Sequence, residues 1–552
     1  MSKARDDSKV RDRFNDEATI WSDDSDRPVR DLISSSAEQR LKLLGSAAVI
    51  GAVLGLGGVL AAGAGLKGMI WLAIVVLGLV AVVTVANYLE AGIMVFLALC
   101  WFLFKTPGLA QGQSGGGEQG LALSQLGLVF LLAAWALRRL FGREGRLYKS
   151  PINAPILAYL FVCVWSTLHS QLFPDSTIER GLIIATPMAV NLMEVVLRVL
   201  ALGGLLLIAN TVTRKNQSRL AAMFPIAGVL LFLFSLQGRP NNLEHPHGLA
   251  LFVPGQGYGA FPQMLAVGAL VALALAGIGK RWQQGAMVGI ALAIFGWAFI
   301  RNAEWVSGWL AGGLTLAIVV YNTNRRLFWI GVGIIALIVL VKFEYFWDKF
   351  YKMNFYAGGH MNWGLATLRG EQIGALENDR SRMLRAAFQY ADAFPLGVGL
   401  GNYKNYNLHY GSPAVWNSTT FTSAHGTYAQ TLSELGWLGL LSQLWLQVAT
   451  LVALYRYWRA LPAGTWEKPW LLATYAGCWG IFVSAFLGDY IFPSYHNGGM
   501  GSFGGTVYVW LFAGLGIGIA RLHGLNWDRL TGKVTDRPRP QPRWVRPLEG
   551  DQ

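Results

Sequence analysis

Three sets of residues in the second half of the chain have the types and spacing that chemistry uses. Arg380, Arg382 and Arg385 lie on one short segment, and in a helix Arg382 and Arg385 share a direction while Arg380 points elsewhere. Three guanidiniums so placed either clamp an anion or form a solvated basic face paired to Glu377 and Asp379. His425 stands in Ser423-Ala424-His425-Gly426, where an imidazole either takes a proton from a hydroxyl or anchors the chain at a lipid-water interface. Glu434 follows nine residues later, about 180° around a continuous helix and roughly 13 Å along it, which makes it a partner inside a bundle rather than a group that orients His425. Arg301, with Asn302, Glu304 and Trp305 beside it, either reaches an anionic headgroup or pairs with Glu304. Glu194 and Arg198, one helical turn apart, neutralise each other. Gly397, Gly399 and Gly401 mimic part of a dinucleotide fingerprint, but no strand-helix-strand unit surrounds them, so a tight turn is expected.

The elements that position these groups follow from composition. Of 552 residues, 53% are apolar and only 14% charged, with a mean hydropathy of +0.39. That profile excludes a soluble enzyme, a disordered chain and a secreted disulfide scaffold. The apolar residues fall in runs near the ~20 residues a bilayer requires. They predict an all-α polytopic membrane protein of about fourteen transmembrane helices, near residues 43–62, 69–88, 91–104, 121–137, 151–169, 189–211, 219–236, 261–279, 285–300, 303–320, 327–344, 425–453, 469–491 and 503–521. The third is short and open to a re-entrant reading. The domain plan is a polar tail (1–42), eleven spans (43–344), a large loop (345–424), three spans (425–521) and a basic tail (522–552).

The formal charge of +14 resembles a nucleic-acid signal until its location is checked. Alternate connections hold 31 of the 45 Lys and Arg residues, in 1–42, 138–149, Arg214 to Arg219, Lys280-Arg281, Arg325-Arg326, Arg456 to Lys468 and Arg521 onward. The positive-inside rule then puts both termini in the cytoplasm, and no nucleic-acid partner is expected. The first tail, with nine basic and ten acidic residues, reads as solvated and disordered, and its Asp24-Ser25-Asp26 reads as part of that acidic run. The first span is an anchor and not a cleaved signal, and Gly51 and Gly55 give it a small-residue face. Cys100, Cys163 and Cys478 fall in apolar runs and are expected to be ordinary buried residues.

On the opposite side lies the 345–424 loop, rich in aromatics that suit either sugar stacking or a membrane-interface belt. Asn378 or Asp379 can cap a helix running to about Ala393, with Leu384, Ala387, Phe388 and Ala391 on its apolar face and a break at Pro395.

Two stretches together resemble the O-antigen ligase and polymerase family. One is Ser423-Ala-His-Gly-Thr-Tyr-Ala-Gln-Thr-Leu-Ser-Glu-Leu-Gly-Trp-Leu-Gly439, a loop-end histidine followed by Glu-x-Gly-x-x-Gly. The other is the arginine-led segment from Arg380 to Pro395-Leu-Gly397-Val-Gly399-Leu-Gly401-Asn402-Tyr403. Gly426 stands where the family often has Asn, and a Ser-Arg-Gly-type segment at an earlier outer exit is matched only by Arg301-Asn302-Ala303-Glu304. The resemblance implies an inverting, metal-independent glycosyltransferase of the bacterial inner membrane, without cofactor. It implies transfer of a glycan from undecaprenyl pyrophosphate to a hydroxyl of a glycan, lipid A core or protein on the periplasmic face. In that reading His425 is the base and Arg380, Arg382, Arg385 or Arg301 hold the pyrophosphate. Glu434, Gly397, Gly399, Gly401 and Asn402 support the site. A protein O-oligosaccharyltransferase and a flippase for lipid-linked sugars remain as alternatives.

Overall fold

The computed structural model describes residues 88–101, 103–104, 123–141, 147–173, 187–236, 242–244, 250–252, 260–301, 306–344, 379–410, 424, 426–494, 502–525 and 527–530. Helices dominate them, and their bounds follow the apolar runs. They are α1 (Leu89–Trp101), α2 (Leu123–Leu140), α3 (Asn153–Leu172), α4 (Pro187–Thr211), α5 (Gln217–Leu236), α6 (Ala260–Leu275), α7 (Arg281–Arg301) and α8 (Val306–Thr323). Next come α9 (Arg325–Val341), α10 (Asp379–Ala393), α11 (Tyr403–Tyr410), α12 (Thr427–Ala460), α13 (Glu467–Ser484), α14 (Ser502–Leu522) and α15 (Trp527–Leu530).

Three expected segments end early. The third apolar run stops being helical at Trp101, and its last residues form a strand, β1 (Leu103–Phe104). This strand pairs with β3 (Ala250–Phe252), which also pairs with β2 (Asn242–Glu244), in a small antiparallel sheet of order β1-β3-β2. The run expected at 261–279 ends at Leu275 because Gly277 and Gly279 take positive φ and turn the chain. The run expected at 469–491 is helical only to Ser484. Beyond it the chain folds back, and the Ala485 and Gly488 carbonyls accept from the Thr427 N–H at 3.0 and 3.2 Å, serving the first turn of α12.

By length and composition, four helical stretches can cross a membrane: Asn153–Leu172, Asn191–Thr211, Arg281–Phe299 and Thr427–Ala460. Shorter apolar helices include Pro262–Leu275 and Thr506–Leu522. Their outward faces are apolar. On α9, Ile330, Ile334, Ile335, Leu337 and Leu340 are each more than half exposed, and no residue of that helix is buried. Such a surface fits hydrocarbon and not water, so the architecture is a helical bundle compatible with a membrane location. Its core sits where α14 packs along α4, and where Phe224, Trp470, Tyr508 and Phe512 form one aromatic cluster. Gly514 permits the α4–α14 approach, since a Cβ there would lie 2.6 Å from the Leu205 carbonyl oxygen. Cys163 and Cys478 are buried free thiols.

Hydrogen bonds tie the connections into two ends. At one end the Tyr148 N–H donates to Asn210 (2.9 Å) and its hydroxyl meets that of Tyr457 (3.3 Å), while Arg521 Nε donates to the Ala209 carbonyl (3.0 Å). Gln217 donates to Glu467 there as well (3.3 Å). The described parts of the basic stretches 138–149, 214–219 and 456–468, and Arg521, therefore share an end. Asp24-Ser25-Asp26 and the rest of the 1–42 tail, the span expected at 43–62 with Gly51 and Gly55, all but the last residue of the span expected at 69–88, and the chain beyond 530 lie outside the described residues, as do 345–378 and 411–423.

Candidate functional site

At the other end of the bundle a helix, a turn and a broken helix lock together. α10 runs from Asp379 to Ala393, the span the periodicity predicts, and buries Ala387, Tyr390 and Ala391, while Phe388, expected on its apolar face, is 48% exposed. Ala387 and Tyr390 join Val398, Tyr403, Tyr406, Ala424 and Ala429 in a small core of their own. Tyr390 meets Tyr403 and Tyr406 edge-on at 5.8 and 6.1 Å, and Phe394 meets Tyr406 at 5.1 Å. Pro395 ends α10, and the chain turns through Gly397, Gly399 and Gly401, all at positive φ (85°, 99° and 79°). Asn402 closes the turn, its Nδ2 donating to the Val398 carbonyl at 3.0 Å while its own carbonyl accepts from Asn405 and Tyr406 to start α11. Burial lowers the pKa of Lys404, the second residue of α11, below the ordinary lysine value.

The turn docks into a break in α12. Gly436 leaves helical geometry (φ 66°, ψ −165°), so the carbonyls before it lose their usual partners one turn on. The turn replaces them. The Val398 N–H donates to the Ser433 carbonyl (2.9 Å), the Gly399 N–H to the Glu434 carbonyl (3.0 Å), and the Trp437 N–H to the Pro395 carbonyl (3.1 Å). Ser166 of α3 adds a hydroxyl donor to the Glu434 carbonyl at 3.0 Å. The backbones approach so closely that a Cβ on Gly397 would overlap the Glu434 carbonyl, and one on Gly436 the Pro395 carbonyl. These two segments, some 35 residues apart in the chain, thus form one hydrogen-bonded unit.

Glu434 is 1% exposed, and its carboxylate accepts from the Gln430 side chain and from the Tyr403 N–H at the start of α11 (3.4 Å). Gln430 in turn accepts from the Ala424 N–H at 2.7 Å. The chain on both sides of His425 is therefore fixed, at Ala424 by Gln430 and at Gly426 by its place as the first cap of α12. His425 itself lies outside the described residues. Arg380, Arg382 and Arg385 belong to α10, and Arg301 ends α7; only their backbone is described.

Beneath the docked turn lies a buried charge cluster. Arg198 and Glu194 form an ion pair, with Arg198 Nε also donating to the Tyr159 hydroxyl (3.2 Å) and Ser494 donating to Glu194 (3.1 Å). Phe492 stacks on Tyr159 at 4.8 Å with the Arg198 guanidinium 5.9 Å from its ring centroid. Glu434 lies near enough to feel the charges of both Glu194 and Arg198. Sequence spacing pairs Glu194 with Arg198 but misses Tyr159, Ser494 and Gln430. Gln430 was legible as the residue one turn before Glu434; Tyr159 and Ser494 come from distant segments and carry no local signal. Among the described residues no group of three His, Cys, Asp or Glu has metal-binding geometry.

What this arrangement supplies is a rigid mount at one end of the bundle. It holds the arginine-bearing helix, the glycine turn and the residues flanking His425 in fixed relation. No family model and no curated protein matches the chain.

Proposed function

We propose that the chain is a membrane glycosyltransferase that moves a glycan from undecaprenyl pyrophosphate to a hydroxyl acceptor, as an O-antigen or polysaccharide ligase or polymerase. The observation that carries this reading is the docking of the Pro395–Gly401 turn into the Gly436 break, because it joins the two stretches that resemble the ligase and polymerase family. In this reading about fourteen helices span the inner membrane, both termini are cytoplasmic and the 345–424 loop is periplasmic. The gathering of basic connections at the end opposite the docked turn supports that orientation.

The chemistry follows from the groups assigned. A sugar hydroxyl is a weak nucleophile, and a positioned base accelerates its attack by about 10²- to 10⁴-fold. His425 takes that proton as the new glycosidic bond forms with inversion at the anomeric carbon. Undecaprenyl pyrophosphate leaves with the electrons of the anomeric C–O bond, and fixed cations stabilise the developing charge. Arg380, with Arg382, Arg385 or Arg301, supplies them in place of a divalent ion. Glu434 and Asn402 hold the mount and do not touch the reacting atoms.

Two other readings make different predictions. A protein O-oligosaccharyltransferase shares the donor and the residues. A flippase is favoured only by the buried Glu194, Arg198 and Glu434, since carriers place charges within the bundle. A glycan gel from the native host separates them, comparing wild type, a deletion, and the deletion carrying His425→Ala at equal expression. Loss of long chains with single units still attached marks a polymerase. Polymer stranded on the lipid carrier marks a ligase or a protein transferase, and glycosylated protein missing from the gel selects the latter. An unchanged ladder removes the transferase. In a membrane assay with added donor, EDTA leaves the rate unchanged, and inhibition by EDTA sinks the metal-free mechanism.

A further inference from the structure

The end of the bundle opposite the docked turn holds a cleft of about 460 Å³ whose described lining includes Arg138, Arg139, Arg214 and Arg521 and, among the described residues, one carboxylate, Glu90. The described lining is therefore basic on balance. Sidedness alone needs basic residues anywhere in these connections. Here they come from three separate stretches and surround one cavity, held by specific bonds. Arg139 donates to Asn210 (3.4 Å) and lies 4.8 Å over the Trp135 ring; Arg521 donates to the Ala209 and Val212 carbonyls; Arg214 donates to the Leu522 carbonyl at 2.6 Å. Asn210 in turn is fixed by the Tyr148 N–H. These bonds preorganise the guanidiniums around the cleft.

The cleft opens where α2, α4 and α14 end and α1 begins. In a bilayer that is the headgroup level, and basic pockets between membrane helices bind phosphorylated headgroups. We propose that this cleft is a binding site for the phosphate of an anionic phospholipid headgroup, distinct from any donor-lipid site at the opposite end. The inference rests on the membrane location of the chain and is independent of the transfer reaction.

The full chain, purified in a neutral maltoside detergent, tests it. Phosphatidylglycerol added to the micelles raises the temperature at which the protein aggregates, and equal phosphatidylcholine does not. Native mass spectrometry finds phosphatidylglycerol retained, and retention falls as salt rises. The double variant R138Q/R139Q binds it about tenfold or more weakly at equal folded protein. Arg521 is left intact because it caps the last carbonyls of α4. An equal response to phosphatidylcholine, or wild-type retention by R138Q/R139Q, overturns the proposal. So does stabilisation by inorganic phosphate or pyrophosphate that lipid does not increase, which would make a soluble anion the ligand.

Discussion

Gly436→Ala loses its fold on mild warming in detergent, while Gly289→Ala in α7 is at least as stable as wild type. Gly436 sits at φ 66° and ψ −165°, a region essentially closed to side chains, where a non-glycine residue costs of order 1–3 kcal/mol. The Cβ would also overlap the Pro395 carbonyl, which is backbone and cannot swing aside. The turn must then retreat, breaking the Val398–Ser433, Gly399–Glu434 and Trp437–Pro395 bonds, each worth about 0.5–1.5 kcal/mol net. Gly289 has nothing within 4 Å of its Cβ position and a helical backbone, so alanine there gains up to about 1 kcal/mol. Size-exclusion profiles after heating steps read both variants. If Gly436→Ala survives as well as Gly289→Ala, the break in α12 is not held by the turn.

Arg198→Met is expected to destabilise the bundle more than Glu194→Gln does. Removing one member of a buried ion pair costs about 3–5 kcal/mol because the other charge is stranded. The two removals are unequal here. Without Arg198, the Glu194 and Glu434 carboxylates repel each other with the nearby guanidinium gone, and the Tyr159 hydroxyl loses its donor. Without the Glu194 charge, Arg198 keeps its bond to Tyr159 and the attraction of the Glu434 charge. The half-life of monodisperse protein at elevated temperature measures the order, since large membrane proteins unfold irreversibly. Equal half-lives for the two variants would mean that Glu434 is electrostatically separate from the pair.

The helices were legible because long apolar runs, near the length a bilayer requires, announce them. The bounds of α4, α12 and α14 lie within a few residues of the apolar runs that announce them, apart from the longer final turns of α12. Pro395 and the three glycines after it were readable as a break and a turn, since each restricts or frees φ in a known way. Gly436 was visible only as a glycine in an apolar helix. That it breaks the helix depends on Val398 and Gly399, whose N–H groups arrive from another part of the chain. Likewise the even spread of arginines over several loops gave sidedness but not a cleft. Glu434 was expected to pair within the bundle, and its partners include a backbone N–H that no side-chain pattern encodes.

The exchange of hydrogen bonds at Gly436 also sets an order of assembly. A chain is made from its N-terminus, so the Pro395–Gly401 turn leaves the ribosome before α12 does. Until the turn docks, the Ser433 and Glu434 carbonyls lack these partners, and in a bilayer setting such orphaned groups cost several kcal/mol each. Completion of α12 is thereby coupled to prior completion of the segment upstream. A chain with a damaged turn would stall with its α12 break unsupported.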